Sequence, residues 1–448
     1  MCYSALMTRT ISNELLSLKL SESATAPLVK RTARDLRIPA IPNKATAVIG
    51  VRRAGKTSFL AHHLAESTRA RSRPGEHLLV SLEDERLVGM TAEDLAWLLD
   101  EHRRTAPALT EALRTVYLDE IQVVAGWELL VRRLLDAGDT RIFLSGSSAK
   151  LLSREVQTSL RGRSMEVLVH PFSFRESLRH VGTEPTVPWA DLTPAARRGL
   201  DTAVRTYLEV GGFPEAQGTE RRDRIALLKG YVDVMVLRDV IDRHNVSNTE
   251  ALRRLERHLM TTPGGAFSVS KFHRDLKSQG LAVGEETLYA QLGYLEDAFA
   301  IRIVSMHTAS ERQRMRNPRK IYPIDPGLIP VFERGARENR GRSLETVVLL
   351  ELERRGYLVG WVRVGQDQEV DFYAEQPGQL SLLIQVSLDT SSDTAWDREV
   401  RALEAAAATY VDARPLLITL DATPPSRPLP GRLEWRSATE WLLETPDR

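Results

Sequence analysis

A chain of 448 residues carries 61 basic and 60 acidic side chains, a formal net charge of +1, with 42% hydrophobic residues and one cysteine, Cys2. At ~150 residues per domain this length predicts about three domains, and the charge balance excludes a strongly basic histone-like binder and an acidic tail protein. One cysteine excludes an internal disulfide framework and a cysteine-held zinc, and no window approaches the ~18 apolar residues of a membrane span, so a cytoplasmic protein without membrane contact is expected.

In chain order, residues 1–34 read as a helical extension with basic spots at Lys30, Arg31 and Arg34. From Ala45 the pattern becomes strand, glycine-rich turn and helix. Further buried strands are predicted at 77–82, 115–118 and 141–144, with helical sequence between them. Such alternation predicts an α/β core with a parallel sheet, placed at 35–180. Residues 181–194 read as a proline-rich loop, and 195–245 as a helical lid-like region. A helix–turn–helix–strand unit is placed at 249–320, and a second α/β segment at 335–448.

The strongest motif is Gly50-Val-Arg-Arg-Ala-Gly55-Lys56-Thr57, which fills every position of G-x-x-x-x-G-K-[ST] between an apolar strand and an apolar-periodic helix. In such a loop the backbone N–H groups around Gly50, Arg53, Ala54, Gly55 and Ser58 cradle phosphates, helped by the helix N-terminus. Lys56 would reach the β- and γ-phosphates and Thr57 would ligate Mg2+. The strand 116–118 ends in Asp119 and Glu120. Asp119 fits the second Mg2+ partner, and Glu120 is placed to polarise the attacking water. Glu83 and Asp84 are rivals for these roles, with a solvated loop as their plainer meaning. After the fourth strand, Ser145, Ser147 or Ser148 would touch the γ-phosphate and the water, with Ser147 preferred. Arg161 and Arg163 are candidate arginine fingers acting on a neighbouring subunit, which would require a dimer or ring. Asn43-Lys44 lacks the Asp of a guanine-selecting N/T-K-x-D element, so ATP is the expected nucleotide.

Taken together, GVRRAGKTS, VYLDEIQ, IFLSGSSAKLLS, LRGRSMEVLVHPFSFRE, GGFPEA at 211–216 and the pair Arg238-Asp239 resemble one family from about residue 35 to 420. It is the prokaryotic AAA+-type ATPases fused to a C-terminal domain of unknown function that is similar to restriction-type nucleases. The resemblance implies an α/β P-loop NTPase core of AAA+ (ASCE) type, a helical lid, a winged helix-turn-helix and a PD-(D/E)XK-like restriction-endonuclease-like end domain. It leaves the cellular role undefined.

Within 249–320, Thr287, Tyr289, Gln291 and Tyr294 lie on or near the second helix of the helix-turn-helix and would face a DNA groove. From Arg243 through Lys320 there are thirteen basic and eight acidic residues, and five of the basic ones fall in 312–320. Glu285, Glu286, Glu296 and Asp297 bracket that helix and oppose DNA contact. In the end domain the resemblance marks Glu345, Asp371, Gln385 and Ser387, where an active nuclease would hold a metal-binding carboxylate and a lysine at the last two positions. Lys320 is the last lysine of the chain, so 335–448 contains none and only an arginine such as Arg398 could substitute. With twelve basic against nineteen acidic residues from Glu338 onward, a degenerate domain with a structural or protein-binding role is expected. The function expected is an Mg2+-dependent ATPase that couples its nucleotide state to a DNA-binding winged helix. Its alternatives are an ATP-dependent DNA nuclease and an ATP-binding switch that holds a protein partner.

Overall fold

The computed structural model describes the chain except residues 1–10, 26–30, 70–75, 106–113, 147–159, 161, 309, 311, 313–317, 333–338, 366–367, 389, 391 and 446–448. The fold divides into two compact units, residues 1–169 and 170–448. Among the described residues no helix is long and apolar enough to cross a membrane.

The first unit runs α1 (Asn13–Thr25), β1 (Ala45–Ile49), α2 (Lys56–Arg69), β2 (His77–Ser81), α3 (Ala92–Thr105), β3 (Arg114–Asp119), α4 (Trp127–Ala137), β4 (Thr140–Ser145) and β5 (Ser164–Leu168). Its sheet has the order β2-β3-β4-β1-β5 with every pairing parallel. All five residues of β1 and the last five of β3 are buried, as strands covered by helices on both faces require. Helix α4 shows how a face is chosen. Trp127, Leu130, Val131, Leu134 and Leu135 recur every three or four residues and are buried, each worth ~1.5–3 kcal/mol on leaving water. Gly138 then closes the helix in a left-handed conformation at φ 73°. Strand β5 was not anticipated. It lies at the sheet edge with mostly half-buried or exposed residues, so its sequence lacks the continuous apolar run of the central strands.

The second unit begins with α5 (Phe174–Val181), α6 (Pro194–Val210) and α7 (Arg221–Met235), the last continuing into a π-helical turn, Val236–Asp242. That turn buries Asp239, while Arg238 pairs with Asp242 at 3.5 Å. Next come α8 (Thr249–Thr261), β6 (Ala266–Phe267), α9 (Val269–Ser278), α10 (Glu285–Asp297), β7 (Ile301–Val304) and β8 (Arg319–Pro323). The three strands form an antiparallel sheet of order β6-β8-β7. After α11 (Ile329–Phe332) and α12 (Asn339–Arg354) follow β9 (Leu358–Val364), β10 (Gln368–Glu375), β11 (Leu382–Ser387), α13 (Asp393–Thr409), β12 (Arg414–Thr419), β13 (Glu434–Ser437) and α14 (Ala438–Leu443). This second sheet has the order β13-β12-β11-β10-β9, parallel from β11 to β13 and antiparallel across β9–β10–β11. Alternate residues of its strands enter two cores. Trp361, Ile384 and Ile418 join Leu344 and Val348 of α12, whereas Val362, Leu383 and Leu417 join Leu403 of α13.

The GGFPEA run has a structural explanation inside this unit. Gly211 is left-handed at φ 76°, and a Cβ there would sit 1.8 Å from Asp325 Oδ1. Asp325 accepts from the amides of Gly212 at 2.6 Å and Gly327 at 2.9 Å. Gly212 in turn accepts from the Phe172 amide at 2.7 Å. Tyr207 donates to the Phe172 carbonyl at 2.6 Å, and Arg354 to the Pro171 carbonyl at 2.9 Å. Burial pushes the Asp325 carboxyl up to about 7 against the two amides that favour its charge.

Candidate functional site

The parallel order of the first sheet sets the carboxyl ends of β1, β4 and β3 side by side, the crevice in which open α/β sheets bind ligands. Gly50, the first residue after β1, admits no side chain, since a Cβ would lie 2.2 Å from the Val169 carbonyl oxygen. Val169 closes against β1 by donating its amide to Ile49 at 2.8 Å. The loop then turns through Arg53 and Gly55 at positive φ, and α2 starts at Lys56. Lys56 is buried, and its ammonium donates to the carbonyls of Gly50 at 3.0 Å and Val51 at 3.2 Å. Arg34 and Arg31 brace the loop by donating to the Ala54 carbonyl at 3.1 Å and the Ser58 hydroxyl at 3.0 Å.

Across the crevice the Thr57 hydroxyl donates to Asp119 Oδ2 at 2.8 Å. The Ser145 hydroxyl donates to Asp119 Oδ1 and accepts from the Glu120 amide at 3.1 Å. Burial raises the Asp119 carboxyl, while the bonds from Ser145 and Thr57 oppose that rise. Glu120 stands at φ 59°, ψ 48°, a left-handed conformation that costs a non-glycine residue about 1–3 kcal/mol and concentrates at functional positions. Gln122 donates to its carboxylate at 2.5 Å. Glu83 is exposed, yet partial burial and then the Glu120 charge raise its carboxyl, with Asp119 and Lys56 also within electrostatic reach. Asp84 takes a different role, capping the turn after β2 and pairing with Lys19 at 2.6 Å.

The structure thus gathers Gly50, Gly55, Lys56, Thr57, Asp119 and Glu120 at one crevice. Ser147 and Arg161 lie outside the described residues. Ser145, the end of the strand beside β1 and in register with Val48, is the hydroxyl placed on the acids. Arg163 is bonded to Asp136 of its own chain. Gln122 and the bracing arginines were missed, because nothing in their local sequence separates them from ordinary surface residues. The Thr57–Asp119 pair suits Mg2+, a hard cation that takes oxygen donors and keeps several waters. Among the described residues no cluster of three His, Cys, Asp or Glu side chains could hold a metal unaided.

In the second unit, Gln291 and Tyr294 do not face a groove, contrary to expectation. Leu288, Leu292 and Leu295 form the buried stripe of α10, and Gln291 falls on it, donating to the Asn248 carbonyl at 3.1 Å. Tyr294 stacks on His244 with ring centroids 3.7 Å apart. Thr287 and Tyr289 are exposed, as are Lys271, Arg274 and Lys277 of α9.

Glu345 on α12 and Asp371 on β10 lie within electrostatic reach of each other, Gln385 on β11 turns to Glu399 of α13, and a lysine, missing from 335–448, arrives from β8. Lys320 is 3% exposed, with its ammonium 3.3 Å from Asp371 Oδ1 and 3.2 Å from Glu369 Oε1. Asp371 Oδ2 accepts from the Val386 amide at 3.0 Å, and Tyr322 donates to Glu345 at 3.3 Å. Gln385 donates to Glu399 at 2.5 Å. Arg398 also binds Glu399 and so does not stand in for a lysine. Counting lysines by domain overlooked this residue, because the contact joins strands 51 positions apart.

Comparison with known proteins places a family model described as "AAA domain" on residues 42–178 and one described as "Domain of unknown function (DUF8612)" on residues 201–336. An uncharacterised protein of Methanocaldococcus jannaschii is 32% identical over 378 residues, covering 83% of this chain and 81% of its own. An uncharacterised protein of Haemophilus influenzae is 30% identical over 279 residues, 62% of this chain and 66% of its own. Among solved structures, a Walker-type ATPase of Pyrococcus abyssi aligns with 72% of this chain and 96% of its own at 19% identity and a TM-score of 0.42.

Proposed function

The chain belongs to the family of that Methanocaldococcus jannaschii protein and carries an AAA domain over residues 42–178, and from this premise we propose that it binds ATP with Mg2+ at residues 50–57 and hydrolyses it. The supporting observation is the unbroken hydrogen-bond chain from Thr57 through Asp119 and Ser145 to the Glu120 amide. The loop amides and Lys56 would take the phosphates, the ammonium exchanging loop carbonyls for charged oxygens, which accept stronger bonds. Thr57 and Asp119 would hold Mg2+, whose charge offsets that of the phosphates. Glu120, fixed by Ser145 at its amide and by Gln122 at its carboxylate, would orient the attacking water and receive its proton. Arg163, or Arg161, would serve a neighbouring subunit's nucleotide in a dimer or ring.

The nucleotide state is proposed to act on a module at 249–320 that binds DNA in the manner of a winged helix. DNA contact would fall to Lys271, Arg274, Lys277, Thr287 and Tyr289, whose exposure supports it. The test is Mg2+-dependent ATP turnover with single-stranded, duplex and branched DNA. One of these should stimulate turnover at low salt and lose its effect as salt rises. Glu285 and Glu286 at the head of α10 favour a protein partner instead, and an unchanged rate with every form of DNA would select that reading.

A further inference from the structure

We propose that Lys320 is the resident cation of the Glu345–Asp371 cluster, an internal ammonium ion that takes the place of a divalent metal and fastens β8 to the sheet β13–β9. The nuclease-like resemblance implies a metal at this position, and one atom would suit it. Gln385 Oε1 is buried without a hydrogen-bond partner.

The rest of the donor set does not fit. Asp371 has one oxygen on the Lys320 ammonium and the other on the Val386 amide. Gln385 brings no charge, and its amide nitrogen is committed to Glu399. Glu399 is itself neutralised by Arg398. Gly264 closes the remaining side at φ 71°, where even a Cβ would lie 2.6 Å from Glu345 Oε2 and 3.2 Å from the Tyr322 ring. A hydrated Mg2+ or Mn2+ needs about six oxygen ligands and a surplus of negative charge. Here a fixed positive charge already sits on Asp371, the carboxylate that would lead such a set.

Electrostatics agree with the geometry. Burial alone would push the Lys320 ammonium down, but Asp371, Glu345 and Glu369 outweigh it and hold it above the usual lysine range. Burial and the neighbouring Asp371 push the Glu345 carboxyl up. Other bonds lie along the same seam. Arg302 of β7 donates to Glu353 of α12 at 2.8 Å, the His307 amide donates to the Trp361 carbonyl at 2.7 Å, and the Trp361 amide donates to the Ser305 carbonyl at 3.1 Å. Loss of Lys320 would leave buried charge behind at Asp371, the costly case for an ion pair.

The test is thermal unfolding of the nucleotide-free full chain, with and without millimolar Mn2+, for wild type, Lys320→Met, Asp371→Asn and the double variant. Lys320→Met should lower Tm by roughly 5–15 °C, and adding Asp371→Asn should recover a large part of that loss. Mn2+ should shift wild type and Asp371→Asn equally. A Mn2+ stabilisation of wild type that Asp371→Asn abolishes would overturn the proposal, as would strictly additive losses in the double variant. If Lys320→Met does not fold, the comparison of wild type with Asp371→Asn under Mn2+ decides alone.

Discussion

Each unit of this protein sets a buried lysine among carboxylates, and the two lysines are used in opposite ways. Lys56 donates to loop carbonyls, neutral acceptors that a phosphate can displace. Lys320 donates to the carboxylates themselves, an ion pair with buried Asp371 and exposed Glu369. In the first arrangement the lysine rests on loop carbonyls that a phosphate can replace. In the second the charge is already balanced. A buried lysine beside acids is therefore no sign of catalysis until its acceptors are known.

The largest expected effects separate the two lysines. Lys56→Ala should reduce ATP turnover by about 10³-fold, and Glu120→Gln by about 10²–10⁴-fold while still retaining bound ATP. Both should leave Tm within a few degrees of wild type, whereas Lys320→Met should do the reverse, losing stability with turnover per folded chain within about twofold. Matching losses of turnover in Lys56→Ala and Lys320→Met, measured on folded protein, would break the contrast. Next, Asp325→Asn should cost about 2–3 kcal/mol in chemical unfolding, because an amide nitrogen would meet one of two backbone donors. ATP affinity should not move. Ser145→Ala should lower turnover about tenfold with KM changed less, since the bonds it removes position Asp119 and Glu120 rather than substrate.

The smallest effect is a pH dependence. Burial pushes Glu256 up to about 7. Its unfolded form releases the proton near 4.5, so the folded state binds more protons between those values, and stability falls as pH rises through that window. Glu256→Gln removes this penalty. The Tm of the variant relative to wild type should therefore climb from pH 5 to pH 8, by an amount equivalent to about 1–3 kcal/mol. A gap independent of pH would remove the titration from the account.

How far the sequence reveals this arrangement depends on the range of the contacts. The phosphate loop is contiguous, so Gly50, Lys56 and Thr57 are read directly, and the central strands announce themselves as apolar runs. Asp119 and Glu120 follow because a strand end fixes where they point. Ser145, Ser147 and Ser148 differ in the sequence only by where the strand stops, Ser147 lies outside the described residues, and edge strand β5 carries no burial signal. Gln291 was misread by helical phase, as it shares the buried stripe with Leu288 and Leu295. Lys320 and Asp325 escaped for a further reason. Each acts on residues 51 to 113 positions away, and a single chain without relatives aligned to it gives no pairing at that distance.

The contrast between the two clusters is tested most directly by counting Mn2+ bound per chain by electron paramagnetic resonance, with and without a non-hydrolysable ATP analogue. The expected result is one Mn2+ that appears only with nucleotide, is lost in Asp119→Asn and is untouched by Asp371→Asn. A Mn2+ bound without nucleotide and lost in Asp371→Asn would contradict the account.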